Sequence, residues 1–131
     1  TSVPVLQSGK NYTFKINCLN RQHYVLGDIV ISLDFYDERG NRVLLFRSNF
    51  TDSNLYLKPG VNSIFCQVDD FPLVTGSYST SIFISHADRE TLDFVQTATI
   101  ISVEGGDFFG TGSSGMPSHC KILVKATWNM K

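Results

Sequence analysis

The segment Phe71-Pro-Leu-Val-Thr-Gly-Ser-Tyr78 constrains the fold of this chain more than any other. Pro72 has no backbone N–H and cannot donate to a sheet, whereas Gly76 can adopt the positive φ that tight turns require. We therefore predict a corner at which the chain crosses from one β-sheet to another. A new strand is expected to begin directly after it.

The residues after this corner, 77–85, alternate between two kinds of side chain. One face is mostly apolar and comprises Tyr78, Thr80, Ile82 and Ile84. The other face carries hydroxyl groups and one aromatic ring, from Ser77, Ser79, Ser81, Phe83 and Ser85. A period of two with this contrast predicts a half-buried strand in a β-sandwich or β-barrel. We expect the hydroxyl face to point outwards and to suit a ligand that is itself rich in hydroxyl groups.

Further strand-like stretches occur at 3–6, 11–19, 28–36, 42–47, 61–68, 92–103 and 120–128. Turn signals separate several of them, notably Asp37-Glu-Arg-Gly-Asn41 and Lys58-Pro-Gly60. The alternation breaks at 48–56, where we expect a loop or a single helical turn. The whole pattern predicts an all-β fold, an antiparallel β-sandwich with an immunoglobulin-like layout.

The length of 131 residues predicts one domain that spans 1–131. Its connection 104–118 is rich in glycine and serine, and it is longer than a hairpin needs. Such a connection would let the last strand, 120–128, reach the far edge of the sandwich or a neighbouring subunit.

Charge and cysteine content narrow the class of protein. Eleven basic residues face 12 acidic ones, without a basic stripe, which argues against a nucleic-acid partner. The three cysteines, Cys18, Cys66 and Cys120, each fall on the apolar phase of a predicted strand. We therefore expect buried, reduced thiols of the kind found in cytosolic proteins.

Residues that could carry catalysis or bind a metal are poorly placed. His86 and Asp88 could share one face, but no second pair has a suitable spacing for a metal site. Asp69 and Asp70 are adjacent, so in an extended chain they point to opposite faces. A hydrolase on a jelly-roll-like sandwich would need two carboxylates about 5–9 Å apart in a cleft, and no pair is clearly placed for this. We predict no catalytic residue, no metal site and no cofactor.

A binding site is better supported, because Phe83 stands among serines on the hydroxyl face. In a sandwich of this topology the strand 77–85 should lie between 28–36 and 92–103. An aromatic ring among hydroxyl, carboxylate and amide groups suits a sugar, since the ring contacts C–H groups while the polar groups bind the hydroxyls. The predicted carbohydrate-binding residues are Asp34, Tyr36, Ser81, Phe83, Ser85 and Gln96.

Two alternatives stay open for the aromatic residues. Phe83 could instead cover a neighbouring side chain or an oligomer interface. Phe65 is also out of phase with the apolar face of its strand, beside Gln67 on the opposite sheet. It is a competing site or an interface residue.

The order of the turn motifs resembles a known family. The motifs are Phe71-Pro-Leu with Gly76-x-Tyr78, then Asp93 opening the next strand, Val103-Glu-Gly-Gly-Asp107 and a terminal Trp128. The hairpin at 37–40 and the Leu57-x-Pro-Gly60 turn fit the same pattern. Together they resemble the C-terminal domain of the ATP-binding subunit of O-antigen (Wzt-type) polysaccharide ABC exporters. The likeness covers nearly the whole chain.

The resemblance implies a non-catalytic, cytoplasmic, immunoglobulin-like domain that recognises lipid-linked O-polysaccharide and couples it to export. It also implies a homodimer, in which the last strand can be exchanged between subunits. In the full-length protein the partners would be an ABC ATPase domain and a membrane transporter subunit, at the inner face of the bacterial inner membrane. The alternative is a structural or dimerisation domain of immunoglobulin type that binds another protein. Pro72, Gly76, Tyr78 and Trp128 are expected to be structural.

Overall fold

The computed structural model describes residues 3–51, 54–86 and 90–130, with only the backbone given for 90–98. Within these ranges the chain forms eight strands and one 3-10 turn, Ser48–Thr51, which lies where the alternation breaks. The strands are β1 (Val5–Gln7), β2 (Tyr12–Asn20), β3 (Leu26–Tyr36), β4 (Arg42–Arg47), β5 (Leu55–Leu57), β6 (Gly60–Val68), β7 (Gly76–His86) and β8 (Glu90–Glu104).

The strands form two sheets. The larger has the order β1-β8-β7-β3-β4, with β5 paired to β3, and the smaller consists of β2 and β6. Paired strands run antiparallel, except that β1 runs parallel to β8. Strand β7 lies between β3 and β8, as the sequence predicted. The all-β sandwich is thereby confirmed.

Strand β3 forms the centre of the core. Every residue from Ile29 to Phe35 is buried, so this strand is covered on both faces. The Phe35 ring meets those of Phe14, Phe46 and Phe71 edge-on, with centroids 5.7–5.9 Å apart. Each fully buried side chain of this size contributes about 1.5–3 kcal/mol, and edge-on ring pairs add to that. The inward row of β3 therefore joins the two sheets.

The corner after β6 is the second part of this core. Phe71, Leu73 and Val74 are almost completely buried. The Phe71 N–H donates to the Lys10 carbonyl at 2.9 Å, and the Gly9 N–H donates to the Phe71 carbonyl at 2.8 Å. These bonds tie the corner to the turn between β1 and β2. The predicted crossing between sheets is thus present.

One detail of the corner differs from the prediction. Gly76 does not adopt the positive φ that we expected, and it is the first residue of β7. Asp70 takes the left-handed conformation instead, at φ 51°. Aspartate tolerates this region better than most residues, because its short polar side chain can hydrogen-bond locally. The reversal therefore comes before Phe71 rather than after it.

The predicted last strand, 120–128, is wrong for this chain alone. Ile122 forms an isolated bridge with Leu73, and the Leu123 N–H donates to the Pro72 carbonyl at 2.7 Å. The corner offers only a short edge, and Pro72 has no N–H to donate back. After Leu123 the chain is exposed to solvent, and the exposed fraction of Trp128 is 91%. The tail, residues 124–130, lacks strand pairing within the described chain.

The cysteine prediction is also only partly confirmed. Cys18 is buried, Cys66 is half-buried and Cys120 is exposed, and all three are free thiols. Cys120 is exposed because the strand that would have buried it does not form. Burial raises the pKa of the Cys66 thiol, which keeps that group protonated and weakly polar.

Tyr78 provides a test of how the corner is held. Its hydroxyl donates to the Val74 carbonyl at 2.8 Å, and burial, aided by Glu38 and Asp37, raises its pKa to about 12 from 10.0. The unfolded chain therefore loses this proton at lower pH than the folded chain. The stabilising contribution is fully present below pH 10 and is lost as the pH rises towards 12.

We expect Tyr78→Phe to lower the free energy of unfolding by about 0.5–1.5 kcal/mol at pH 7, through the lost hydrogen bond. Urea unfolding of both proteins at increasing pH provides the measurement. The gap between wild type and variant should shrink as the pH rises above the tyrosine's ordinary value. A gap that stays constant up to the pH at which the wild type unfolds would contradict this account.

Candidate functional site

The pairing of β3 with β7 brings the predicted site residues onto one face of the larger sheet. Asp34 lies opposite Ser81, and Tyr36 lies opposite Ser79. Phe83 pairs with Ser32, and Ser85 pairs with Val30. Residues that are 45 or more positions apart in the chain, such as Tyr36 and Ser81, are thereby neighbours. The strand order assumed for the site is confirmed.

The exposure of these residues differs from the prediction. Asp34 and Ser81 are each only 1% exposed, so neither carboxylate nor hydroxyl faces open solvent. Tyr36, Phe83 and Ser85 are half-buried. The expectation that Asp34 and Ser81 point to solvent is therefore wrong. The reason is that β3 is covered on both faces, which strand periodicity cannot reveal.

A network of polar contacts holds the buried Asp34. The Ser32 hydroxyl donates a hydrogen bond to Asp34 Oδ1, and Arg42 Nη1 lies 3.5 Å from Asp34 Oδ2. The Arg42 guanidinium also stands 5.9 Å from the centre of the Tyr36 ring. On the other side the Ser81 hydroxyl donates to the Tyr36 hydroxyl at 3.3 Å. The other four side chains together fix the position of the Tyr36 ring.

Charge explains why this arrangement is stable. A buried carboxylate is costly unless it is paired and hydrogen-bonded, and Asp34 has both kinds of partner. The Arg42 side chain keeps 53% of its surface exposed, so the cation remains partly solvated while it compensates the buried charge. Its exposed part can still donate to a ligand.

Ser32 and Arg42 were missed by the sequence analysis. The sequence could have indicated Arg42, because the hairpin at 37–41 pairs β3 with β4 and places Tyr36 opposite Arg42. Ser32 belongs to the same alternating row as Asp34, so it shares that face. Neither residue stands out by type, and only the buried carboxylate explains their roles.

Gln96, the remaining predicted residue, belongs to β8, but the structure describes only its backbone and not its side chain. Asp88, half of the weak metal pair with His86, is also outside them. Among the described residues, no group of three or more histidine, cysteine, aspartate or glutamate side chains could hold a metal ion. No helix in the described chain is long and apolar enough to cross a membrane.

The competing residue Phe65 lies on the outer face of the smaller sheet. It is 62% exposed, opposite Lys15 on β2. The Ser63 hydroxyl next along β6 donates to Asn17 Oδ1 at 3.0 Å. This face thus presents an open ring beside polar groups, as the sequence analysis allowed.

Comparison with known proteins identifies the family. The family model described as the Wzt C-terminal domain matches residues 1–116. The chain belongs to the Wzt C-terminal domain family. No curated protein sequence matches the chain.

Twelve chains among the solved structures also match this chain. One of them, described as the crystal structure of the C-terminal domain of wzt, gives a TM-score of 0.71 at 16% identity. The match covers 96% of this chain and 73% of that one. At this identity the likeness shows a shared fold. The family model ends at residue 116, so the tail lies beyond the residues that it matches.

The Asp34 network can be tested through stability. Asp34→Ala should lower the free energy of unfolding by about 1–3 kcal/mol, because the buried Ser32 hydroxyl loses its acceptor. Urea denaturation at neutral pH gives the value. Asp69→Ala, at an exposed position, is the matched control and should change it by less than about 0.5 kcal/mol. Equal effects of the two substitutions would show that the Asp34 carboxylate is solvated.

Proposed function

We propose that this Wzt-family domain binds O-antigen polysaccharide in the cytoplasm, without catalysing a reaction on it, and couples the polymer to export by an ABC transporter. The observation that carries this proposal is the Tyr36 ring, held between Arg42 and Ser81 on a face that also bears Phe83. An aromatic ring that is already fixed loses little conformational freedom when a sugar stacks on it.

The proposed role of each residue in binding depends on how exposed its side chain is. Tyr36 and Phe83, both half-buried, would contact the C–H surface of sugar rings. Ser85 and the exposed part of Arg42 would hydrogen-bond to sugar hydroxyls. Asp34 and Ser81 act as positioning residues, through Arg42 and Tyr36 respectively. Gln96 stays a predicted hydrogen-bonding partner.

The cellular setting belongs to the same proposal. Family membership supports a role within an O-antigen ABC exporter. We propose that the full-length protein joins this domain to an ABC ATPase domain, and that a membrane transporter subunit holds both at the inner face of the bacterial inner membrane. The domain would then read the lipid-linked polymer before it enters the transporter.

A homodimer is the second part of the proposal. Strands β2 and β6 pair only with each other among the described residues, so each has a free edge. The tail, anchored at Leu123 beside the corner, has exposed apolar residues at Val124, Trp128 and Met130. A free sheet edge and an unpaired segment of the same chain favour exchange of the last strand between two subunits.

Binding can be tested with O-polysaccharide from the protein's source strain and from an unrelated serotype, freed of lipid. We expect saturable binding to the cognate polymer in NMR or calorimetric titrations. Phe83→Ala and Tyr36→Ala should each weaken it by about 1–3 kcal/mol, because the stacking surface is lost.

The matched control is Tyr24→Ala, which removes an exposed ring elsewhere on the molecule. Its affinity should equal that of the wild type. Urea unfolding confirms that each variant is folded. Absence of binding to either polymer would overturn glycan recognition and support the alternative, an immunoglobulin-like assembly domain that binds another protein.

The dimer is tested by removing the tail. The intact chain should sediment as a dimer, and a chain that ends at residue 123 should be a monomer, since it lacks the segment that would pair with the partner's sheet. Sedimentation equilibrium measures both. A monomeric intact chain, or a truncated chain that still dimerises, would exclude exchange of the tail.

A further inference from the structure

The sandwich contains a cleft that the candidate site does not use. It lies between the two sheets beside β4, the 3-10 turn and β6, and its volume is about 390 Å³. This is within the range of roughly 300–1,000 Å³ typical of small-molecule sites. Its floor and mouth are formed chiefly by Ile16, Ile31, Leu33, Ile64, Phe50 and Phe65.

The floor of the cleft is apolar. Ile16, Ile31 and Leu33 are buried core residues that reach it from β2 and β3. Cys66 adds a half-buried thiol whose pKa is raised by burial, so the group there is neutral. These four side chains present only carbon and sulfur atoms to a ligand. A hydroxyl placed there would lose its hydrogen bonds to water, whereas a methyl group would gain from burial.

The mouth of the cleft has the opposite character. Phe50 is 69% exposed on the 3-10 turn. Phe65, on the outer face of the edge strand β6, is 62% exposed and borders the mouth from that side. The turn is held in place because the Ser48 hydroxyl oxygen accepts from the Ile31 N–H at 2.9 Å. That hydroxyl can still donate its own hydrogen, and Gln67, like Phe65, borders the mouth from the outer face of β6. Two open rings and polar groups thus surround an apolar floor.

We propose that this cleft binds a 6-deoxyhexose unit of the polysaccharide, with its C6 methyl group on the floor and its hydroxyls at the mouth. Phe50 and Phe65 would contact the C–H surface of the sugar ring. A 6-deoxyhexose has the required polarity, since one edge carries a methyl group and the rest carries hydroxyls. This proposal rests on the proposed glycan-binding function and names the sugar class that a second subsite reads.

The position of the cleft allows both sites to act on one polymer. Leu45 of β4 lines the cleft and is paired with Asp34 of the face described above. The face with Tyr36 and the cleft lie on opposite sides of the larger sheet and meet at its edge strand β4, which borders both. A polysaccharide that lies on the face with Tyr36 can cross β4 and place another residue in the cleft.

Matched pairs of sugars test the proposal on the intact domain. Methyl α-L-fucoside and methyl α-L-galactoside differ only in the C6 hydroxyl, and so do the corresponding rhamnoside and mannoside. For at least one pair we expect NMR titration to give about 10- to 100-fold tighter binding of the 6-deoxy sugar. Equal affinities within both pairs, or no binding of any of the four, would overturn the proposal.

Variants locate the effect. Phe65→Ala and Phe50→Ala each remove an exposed ring and should weaken binding of the preferred 6-deoxyhexoside about tenfold. Tyr56→Ala removes an exposed ring elsewhere and should leave this affinity unchanged. Ile64→Thr puts a hydroxyl on the floor and should reduce the preference for the 6-deoxy sugar. Urea unfolding checks that each variant is folded. Unchanged affinity in both phenylalanine variants would overturn this site.

The two glycan proposals fail in different ways. Polymer binding that depends on Tyr36 and Phe83 but not on Phe50 and Phe65 would retain the proposed function and overturn the cleft. Loss of all polymer binding would overturn the proposed function, and the sugar pairs would then decide the cleft by themselves. If Phe65→Ala changed the oligomeric state and left sugar affinity intact, the cleft would be a subunit interface and the proposal would be wrong.

Discussion

The burial of β3 on both faces is the constraint on which the rest of this structure depends. Its inward row, which includes Phe35, joins the sheets through edge-on contacts with rings from both of them and from the corner. Its outward row buries Asp34, which requires Ser32 and Arg42 as partners. One strand therefore sets both the hydrophobic core and the polar network that positions the Tyr36 ring.

The two proposed glycan surfaces follow from opposite properties of the fold. The face of β3 and β7 is rigid, because its rings and polar groups are fixed by contacts already formed, and a rigid site loses little freedom when it binds. The cleft exists because the smaller sheet has only two strands among the described residues, which leaves the space between the sheets open beside β4. Recognition of a polymer would combine a fixed platform with an open edge.

The same open edges would connect the proposed ligand binding to the proposed assembly. A two-stranded sheet is marginal by itself, and in this domain β2 and β6 are supported by packing on the larger sheet. A third strand, supplied by a partner's tail, would extend that sheet and bury apolar residues such as Trp128. If the added strand lay along β6, it would stand close to Phe65 at the mouth of the cleft.

The sequence by itself determined most of the strands and the corner, because alternation with a period of two and turn residues are local properties. It missed the short strand β5, which lies where a loop or helical turn was expected. The neighbours of β7 followed from the assumed sandwich topology and not from a local pattern. The sequence could not determine that Asp34 and Ser81 are buried, since alternation shows which residues share a face but not whether that face is covered. It also predicted a strand at 120–128 that finds no partner within the chain. Only the tertiary structure brought Phe50 and Phe65 to one cleft, because residues far apart in sequence meet only when the sheets pack.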